Sequence, residues 1–219
     1  MDTQTLETVL RILRQEIKRW KVPAVGAIAG QAVDRPFETL ASTILSLRTK
    51  DAVTEQAARR LLSAAPTPEA ITQLPVTTIQ KLIYPVGFYR TKARNLKKTC
   101  RILVEAYGGK VPRDIDELLK LPGVGRKTAN LVVTVGYNRH GICVDTHVHR
   151  ITRIWGYVKA NTPEKTEFAL REKLPRKHWR TYNDILVTFG QNLCTPVSPW
   201  CSRCPVVQYC PKIGVQRWR

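Results

Sequence analysis

The octapeptide Leu121-Pro122-Gly123-Val124-Gly125-Arg126-Lys127-Thr128 lies between a short acidic segment, residues 114–119, and an apolar segment that runs from about residue 126 to residue 137. The spacing of the apolar residues in both flanking segments is typical of helices. Two glycines around one apolar residue predict a tight turn between those helices. The backbone N–H groups at the start of the second helix are then left exposed.

The exposed amides at the start of the second helix suit a phosphate group. They have no partner within the helix, and the helix dipole adds partial positive charge at this end. A nucleic-acid backbone can therefore approach without any base being read. The candidate contacts are Gly123, Val124, Gly125, Arg126 and Thr128. A Gly-x-Gly sequence alone is more often an ordinary turn, and here the basic flank and the charge of the chain favour the phosphate.

The composition indicates a polyanionic partner. The 219 residues include 36 Lys and Arg against 17 Asp and Glu, a formal net charge of +19. Nucleic acid is the expected partner of so positive a surface, and a merely solvated basic surface is the alternative. No apolar run approaches the length of a membrane span, and no signal or transit segment is recognisable. We expect a cytoplasmic, nucleoid-associated monomer that does not bind membranes.

The periodicity of the apolar residues predicts an all-α fold. Leu6, Leu10 and Leu13 recur at helical spacing near the start of the chain, and Phe37, Leu40 and Ile44 do so further on. Thr67-Pro68 and Thr162-Pro163 are typical of an N-cap followed by a helix-opening proline. Gly108-Gly109 predicts the end of a helix. Alternation of period two never extends beyond a few residues, which excludes a β-sheet protein.

Four cysteines near the end of the sequence predict a metal site. They are Cys194, Cys201, Cys204 and Cys210, with the spacing C-x6-C-x2-C-x5-C. Thiolates this close together need a cation to neutralise them, usually zinc or a cubane iron–sulfur cluster. Zinc ribbons tend to pair two C-x2-C knuckles, whereas this spacing contains one, so iron–sulfur is favoured. A set of disulfides is the remaining alternative.

Asp145 directly precedes another amphipathic helix, which carries Val148 and Ile151. An aspartate at this place could be only an N-cap, because its carboxylate accepts hydrogen bonds from the first amides of a helix. Lys127 on the preceding helix favours a chemical role instead. An amine nucleophile needs a nearby group that manages its proton and stabilises positive charge in a substrate.

Together these motifs resemble the three signatures of the endonuclease III family of DNA glycosylases, which have a helix–hairpin–helix. The matching stretches are residues 121–130, Val144-Asp145-Thr146-His147 and the four cysteines, and the resemblance covers about residues 37–211. It implies a six-helix barrel at residues 29–139 that contains the hairpin. It also implies a second helical domain, residues 1–28 and 140–219, that carries a [4Fe-4S] cluster, with DNA in the cleft between the two.

The resemblance further implies the chemistry of the site. Lys127 is the nucleophile and Asp145 its carboxylate partner, and the damaged nucleotide is flipped out of the duplex. A neutral Lys127 amine attacks C1′ as the base leaves, and the resulting Schiff base acidifies the C2′ hydrogens. β-Elimination then breaks the strand on the 3′ side. The alternative is that Lys127 only binds a phosphate beside the hairpin.

Gly87-Phe88-Tyr89-Arg90 lies in a loop between helices, where this family inserts an apolar wedge into the base stack. Phe88 is the matching position, and an aromatic ring replaces part of the lost stacking energy. The competing interpretation makes Phe88 and Tyr89 core residues of the barrel.

Two positions depart from the family pattern. The loop between Cys194 and Cys201 contains no Lys or Arg. Relatives commonly offer basic residues there to the DNA backbone, so this loop is a poor source of phosphate contacts. Arg48 stands where a typical endonuclease III carries glutamine, at a position that fills the gap left by the flipped base. Thymine-mismatch glycosylases of the same superfamily are similar in having arginine there. The alternative is that Arg48 grips a phosphate.

Three functions follow as hypotheses. The first is a bifunctional glycosylase and abasic-site lyase for oxidised pyrimidines, with double-stranded DNA containing damaged bases or abasic sites as its partner. The second is a glycosylase directed at uracil or thymine opposite guanine. The third is a non-catalytic DNA-binding module or redox sensor, which the presence of both Lys127 and Asp145 disfavours.

Overall fold

The computed structural model describes residues 1–20 and 34–219. These residues form α-helices and no β-strand, which confirms the all-α prediction. The chain divides into two compact units, one of Ala24–Gly141 and one of Met1–Pro23 with Ile142–Arg219. The predicted domain boundaries fall at residues 28/29, which lie outside the described residues, and at 139/140.

The described residues contain eleven α-helices. In chain order they are α1 (Thr3–Glu16), α2 (Arg35–Ser46), α3 (Asp51–Ala64), α4 (Pro68–Gln73), α5 (Val76–Ile83), α6 (Tyr89–Tyr107), α7 (Ile115–Leu119), α8 (Arg126–Leu131), α9 (Thr146–Ile154), α10 (Pro163–Lys173) and α11 (Trp179–Asn192). None of them is long and apolar enough to cross a membrane.

The helix ends follow the local signals of the sequence. Thr67 and Thr162 are N-caps whose hydroxyl groups accept hydrogen bonds from the amides of Ala70 and Lys165, both at 3.2 Å. A proline opens each of these helices, as predicted. Helix α6 ends at Tyr107, and its C-cap residue, Gly108, adopts the left-handed conformation with φ of 58°. This conformation favours glycine because no Cβ clashes with the backbone.

The Ala24–Gly141 unit is built around α2. Eight of the twelve residues of this helix are buried, among them Phe37, Leu40 and Ile44. Helix α2 packs against α3, α6 and α8, so apolar side chains cover it on several sides. Burial of each large apolar side chain stabilises the fold by about 1.5–3 kcal/mol. Among its described residues this unit holds seven helices, α2 to α8, where six were expected.

The discontinuous unit joins the first helix to the last. Leu6, Leu10 and Leu13 of α1 share one core with residues of α9 and α11. At the edge of this core, Arg14 Nη2 lies 2.8 Å from His178 Nδ1, just before α11 begins. The segment that follows α11 holds the four cysteines, so this core supports the predicted metal site.

Candidate functional site

The hairpin between α7 and α8 has the geometry that its sequence predicts. The Val124 amide donates to the Leu121 carbonyl at 3.1 Å, and Gly123 has a φ of 79°. Thr99 Oγ1 of α6 donates to the Pro122 carbonyl at 3.0 Å and anchors the turn. Gly125 is the N-cap residue of α8, and a Cβ added to it would meet no atom within 4 Å. The start of α8 therefore borders open space.

The first turn of α8 carries the predicted hairpin contacts and the predicted nucleophile. Arg126 and Lys127 are half-buried, so each reaches the surface from a packed helix. Val124 is only 7% exposed and Thr128 only 1%. The predicted phosphate contacts are backbone amides, and the side chains of these two residues are packed inside the unit. The Val124 amide donates to the Leu121 carbonyl, so of the two amides only that of Thr128 is left as a possible donor to a phosphate.

Helix α8 does not continue regularly to Tyr137, as the sequence suggested. It passes after Leu131 into a π-helical turn, Val132–Gly136, in which the Tyr137 amide donates to the Val132 carbonyl at 2.9 Å. Thr134 Oγ1 also donates to the Asn130 carbonyl at 2.8 Å. Wide turns of this kind recur beside functional sites. The apolar periodicity does not distinguish such a turn from a regular helix.

Asp145 is the N-cap of α9, as one of the two interpretations predicted. Its Oδ1 accepts hydrogen bonds from the amides of His147 and Val148, both at 2.9 Å. Within the described residues these cap bonds use Oδ1 alone. The carboxylate can therefore cap α9 and still offer Oδ2 to chemistry. Lys127 and Asp145 belong to different units, and each is described within its own.

The structure brings Arg48 and Phe88 together, although 39 positions separate them in the chain. Both residues have left-handed backbone conformations, with φ of 53° and 58°. Phe88 is 62% exposed, so the interpretation that placed its ring in the core is wrong. It is the N-cap residue of α6, so this helix begins at Tyr89 inside the predicted loop. The role of Phe88 as a wedge remains a prediction.

The loops that carry Arg48 and Phe88 are held to each other by direct bonds. The Gly87 amide donates to Thr49 Oγ1 at 3.1 Å. A Cβ on Gly87 would lie 2.6 Å from the Arg48 carbonyl oxygen, so only glycine allows this approach. The position of Phe88 relative to Arg48 thus depends on one glycine and one hydroxyl group.

Lys92 is a buried residue beside the predicted site that the sequence analysis missed. Its ammonium group donates to the carbonyl of Leu45 at 2.8 Å, to the carbonyl of Leu47 and to Thr49 Oγ1 at 3.1 Å. These acceptors terminate α2 and shape the Arg48 loop. Lys92 is 7% exposed, and burial lowers its pKa to about 8. The side chain stays largely charged at pH 7, with three acceptors that compensate for its burial.

A signal for Lys92 was present in the sequence. The buried face of α6 carries Ala93, Leu96, Cys100 and Leu103, and residue 92 falls on this face by helical spacing. A lysine on a buried face is unusual unless polar groups surround it. The sequence does not reveal which groups these are, because two of them are main-chain carbonyls about 45 residues away.

The four predicted metal ligands line one cavity. Cys194, Cys201, Cys204 and Cys210 surround it together with apolar side chains of α9 and α11. All six cysteines of the chain are free thiols, so the disulfide alternative is wrong. Arg150 donates to the carbonyl of Cys194, and its Nη1 lies 3.6 Å from the Sγ of that residue.

The chemistry of this donor set fits an iron–sulfur cluster. Burial raises the pKa of Cys204 to about 11, so without a cation this thiol stays protonated. Within residues 1–20 and 34–219, no three or more His, Cys, Asp or Glu side chains form a group that could hold a metal ion. The observation that supports a bound cofactor is that all four thiols line one cavity.

Comparisons with known proteins place the chain in a family of DNA repair proteins. Residues 41–176 match the HhH-GPD superfamily of base excision DNA repair proteins. Endonuclease III of Thermotoga maritima (strain ATCC 43589 / DSM 3109 / JCM 10099 / NBRC 100826 / MSB8) is 46% identical over 175 residues, which cover 80% of this chain and 82% of that protein. Endonuclease III of Bacillus subtilis (strain 168) is 39% identical over 176 residues, 80% of each chain.

Two solved structures extend the likeness over nearly the whole chain. One is a trapped endonuclease III–DNA covalent intermediate, the estranged-adenine complex, which is 34% identical over 97% of both chains with a TM-score of 0.85. The other is a thermostable thymine-DNA glycosylase, 23% identical over 93% of this chain and 97% of that one, with a TM-score of 0.72. The second likeness concerns the fold alone.

Proposed function

Because this chain belongs to the endonuclease III family of the HhH-GPD superfamily, we propose that it excises oxidised pyrimidines from duplex DNA and then cleaves the strand at the abasic site. The chain is a base excision repair DNA glycosylase. Membership in an enzyme family sets aside the non-catalytic alternative. The relative trapped as a covalent DNA intermediate supports a mechanism in which the protein itself bonds to the sugar.

Lys127 is the residue we assign as the nucleophile. Its amine forms a bond to C1′ while the bond from C1′ to the base breaks and the electron pair leaves with the base. A proton from the amine then goes to the departing base, by way of Asp145. Opening of the sugar ring gives an iminium ion. Loss of a proton from C2′ then expels the 3′ phosphate, which breaks the strand.

The observation that carries this assignment is the single-oxygen cap of Asp145. A carboxylate that used both oxygens in the helix cap would have none left for the sugar or the amine. Here Oδ1 accepts both amides of α9. The amides fix the orientation of the carboxylate, and Oδ2 can stabilise positive charge that develops at C1′.

We propose that the four cysteines hold a [4Fe-4S] cluster. The apolar lining of their cavity and the four free thiols support this assignment. When bound, the cluster supplies the cation that keeps the thiolates ionised and cross-links the segment after α11. Duplex DNA with damaged bases or abasic sites is the partner, the protein acts as a monomer, and its location is the cytoplasm with the nucleoid.

A second substrate class rests on Arg48. This arginine is exposed and lies beside Phe88, at the position where the family pattern has glutamine. A guanidinium offers only donors, so it favours an orphaned base that presents acceptors, which guanine does. Excision of uracil or thymine opposite guanine is therefore the alternative to oxidised pyrimidines.

The test is a panel of duplexes, each with one damaged base, incubated with the protein and then treated with borohydride. An imine would be reduced to a stable protein–DNA bond. We expect this bond with abasic and oxidised-pyrimidine DNA, and we expect Lys127→Ala to abolish it. Lys110→Ala, at an exposed lysine of the same unit that has no place in the site, is the control and should still be trapped. Equal trapping by Lys127→Ala would show that another residue is the nucleophile.

A further inference from the structure

A large open groove crosses the surface of the discontinuous unit. Its volume is about 1090 Å³, above the roughly 300–1,000 Å³ of small-molecule sites. Helix α9, the segment before α10, the first turn of α10, the loop after Cys194 and the C-terminal tail form its walls. A groove of this size and openness suits a segment of a polymer better than a small ligand.

The lining of the groove is strongly basic. It includes Arg150, Arg153, Lys159, Lys165 and Arg217, and no Asp or Glu is among its lining residues. All but Arg150 are exposed, and none of these four takes part in an ion pair within residues 1–20 and 34–219. Cations from four separate chain segments thus face one space without compensating carboxylates.

A half-buried histidine lies beside these cations. His149 lines the same groove, and burial together with the charge of Arg153 lowers its pKa. Its Nδ1 lies 2.7 Å from Thr166 Oγ1. The histidine is therefore neutral at pH 7 and adds no charge, so the attraction for an anion comes from the arginines and lysines.

Exposed apolar side chains also line the groove. Val197 is 87% exposed and Ile213 is 55% exposed, and both line the groove with Pro196. A lining that combines cations with apolar side chains is complementary to a sugar–phosphate strand, whose phosphates attract cations and whose deoxyriboses offer apolar faces. A cluster of small anions would not need the apolar part.

We propose that this groove binds the sugar–phosphate backbone of the DNA substrate at several consecutive phosphates, in addition to the hairpin. The proposal rests on the proposed function only in taking DNA as the substrate. It also explains the departure noted in the loop after Cys194, which lacks Lys and Arg. That loop supplies an apolar wall, and the charge comes from α9, the segment before α10, the first turn of α10, and the tail.

The test compares two fourfold variants that lower the net charge equally. The groove variant combines Arg153→Gln, Lys159→Gln, Lys165→Gln and Arg217→Gln. The control combines Arg11→Gln, Lys18→Gln, Lys98→Gln and Arg101→Gln, all exposed and outside the groove. Affinity for an undamaged duplex is measured from 50 to 200 mM salt, and thermal melting confirms that both variants are folded.

We expect the DNA affinity of the groove variant to depend less steeply on salt concentration than that of the wild type. Each lost phosphate contact lowers the slope of log affinity against log salt by about 0.9, so four contacts lower it by up to about 3.6. The control should lower it by less than about 1, because it changes only the general field. A groove variant with the same slope as the control would overturn the proposal.

Neutral methylphosphonates at single positions of the duplex then locate the contact. Several consecutive substitutions on one strand should weaken the wild type several-fold and leave the groove variant unaffected. Identical profiles for both proteins would mean that the groove holds something other than DNA, and would overturn the proposal. Undamaged DNA is the ligand throughout, so failure of base excision leaves this result intact, and the two proposals fail separately.

Discussion

The guanidinium carbon of Arg48 lies 5.7 Å from the centre of the Phe88 ring. A cation at this distance over an aromatic face is attracted by the ring, and the interaction stabilises the pair by about 0.5–1 kcal/mol at an exposed site. The two side chains therefore act as one surface feature. The guanidinium and the ring can therefore both contact an orphaned base that enters at this place on the surface.

The rate of excision should depend on the base opposite the lesion, because we expect Arg48 to contact that base. Guanine presents two acceptors, O6 and N7, to the two donors of a guanidinium, and a good bidentate contact contributes roughly 1–3 kcal/mol. We expect faster excision of one lesion opposite guanine than opposite adenine, by about 5- to 100-fold in single-turnover rate. Arg48→Gln should flatten that difference. A wild-type enzyme indifferent to the opposite base would contradict the gap-filling role, and uniform weakening with reduced salt dependence would indicate a phosphate contact.

Lys92 should control the position of Arg48 without touching DNA. Lys92→Met removes the ammonium that joins the end of α2 to the Arg48 loop, so we expect excision to fall about 10- to 100-fold and the opposite-base preference to disappear. The matched control is Lys97→Met. Lys97 is also on α6 and donates to a main-chain carbonyl, that of Leu74 at 2.6 Å, on a different segment. Loss of preference in both variants would point to general destabilisation.

Asp145→Asn should separate capping from chemistry. Asparagine caps helices about as well as aspartate, so the melting temperature should change by only a few degrees. Base excision should fall by about 10²- to 10⁴-fold, because the carboxylate charge is lost. Single-turnover rates and thermal melting on the same preparation measure both. Rates close to the wild type in a well-folded variant would leave Asp145 as a cap alone.

The metal content should distinguish a cluster from zinc. Protein purified without air should be yellow-brown and contain about four irons and four acid-labile sulfides per chain. Cys204→Ser should lower both contents together, whereas Cys100→Ser, at a buried cysteine of the other unit, should leave them unchanged. One zinc and no sulfide per chain would refute the assignment.

Asp184 should make stability depend on pH. Burial in α11 raises the pKa of this carboxyl to about 6 from 3.8, so the native state binds its proton more tightly than the unfolded state. The cost of ionisation is therefore absent below pH 3.8, grows as the pH rises from 3.8 to about 6, and is complete above about 6. The free energy of unfolding of Asp184→Asn, measured with urea, should exceed that of the wild type by about 1–3 kcal/mol at pH 8. The difference should be smaller at pH 5. A constant difference across this range would argue against the raised pKa.

Local chemistry explains which features the sequence could predict. The hairpin, the caps at Thr67 and Thr162 and the cysteine set all depend on residues within about twenty positions of each other. Turn geometry and capping preferences act at that range. The same holds for Asp145, whose cap was predicted from its position before an amphipathic stretch.

The remaining features depend on long-range packing. The acceptors of Lys92 are mainly carbonyl groups, which every residue carries, so no residue type marks them. The basic groove takes its charges from four segments that look like ordinary solvated surface when read one at a time. Val124 and Thr128 were assigned to DNA by their place in a motif, and packing of the hairpin buries their side chains.

The bond between Arg14 and His178 spans 164 positions of the chain. At a synthesis rate of about 5–20 residues per second, roughly 10–30 s therefore pass between the synthesis of Arg14 and that of His178. Its apolar stripe, Leu6, Leu10 and Leu13, is uncovered throughout that interval, while residues 24–141 can already fold around α2. Helix α1 is thus synthesised well before it can be packed, and we expect chaperones to bind a nascent chain with this exposed stripe.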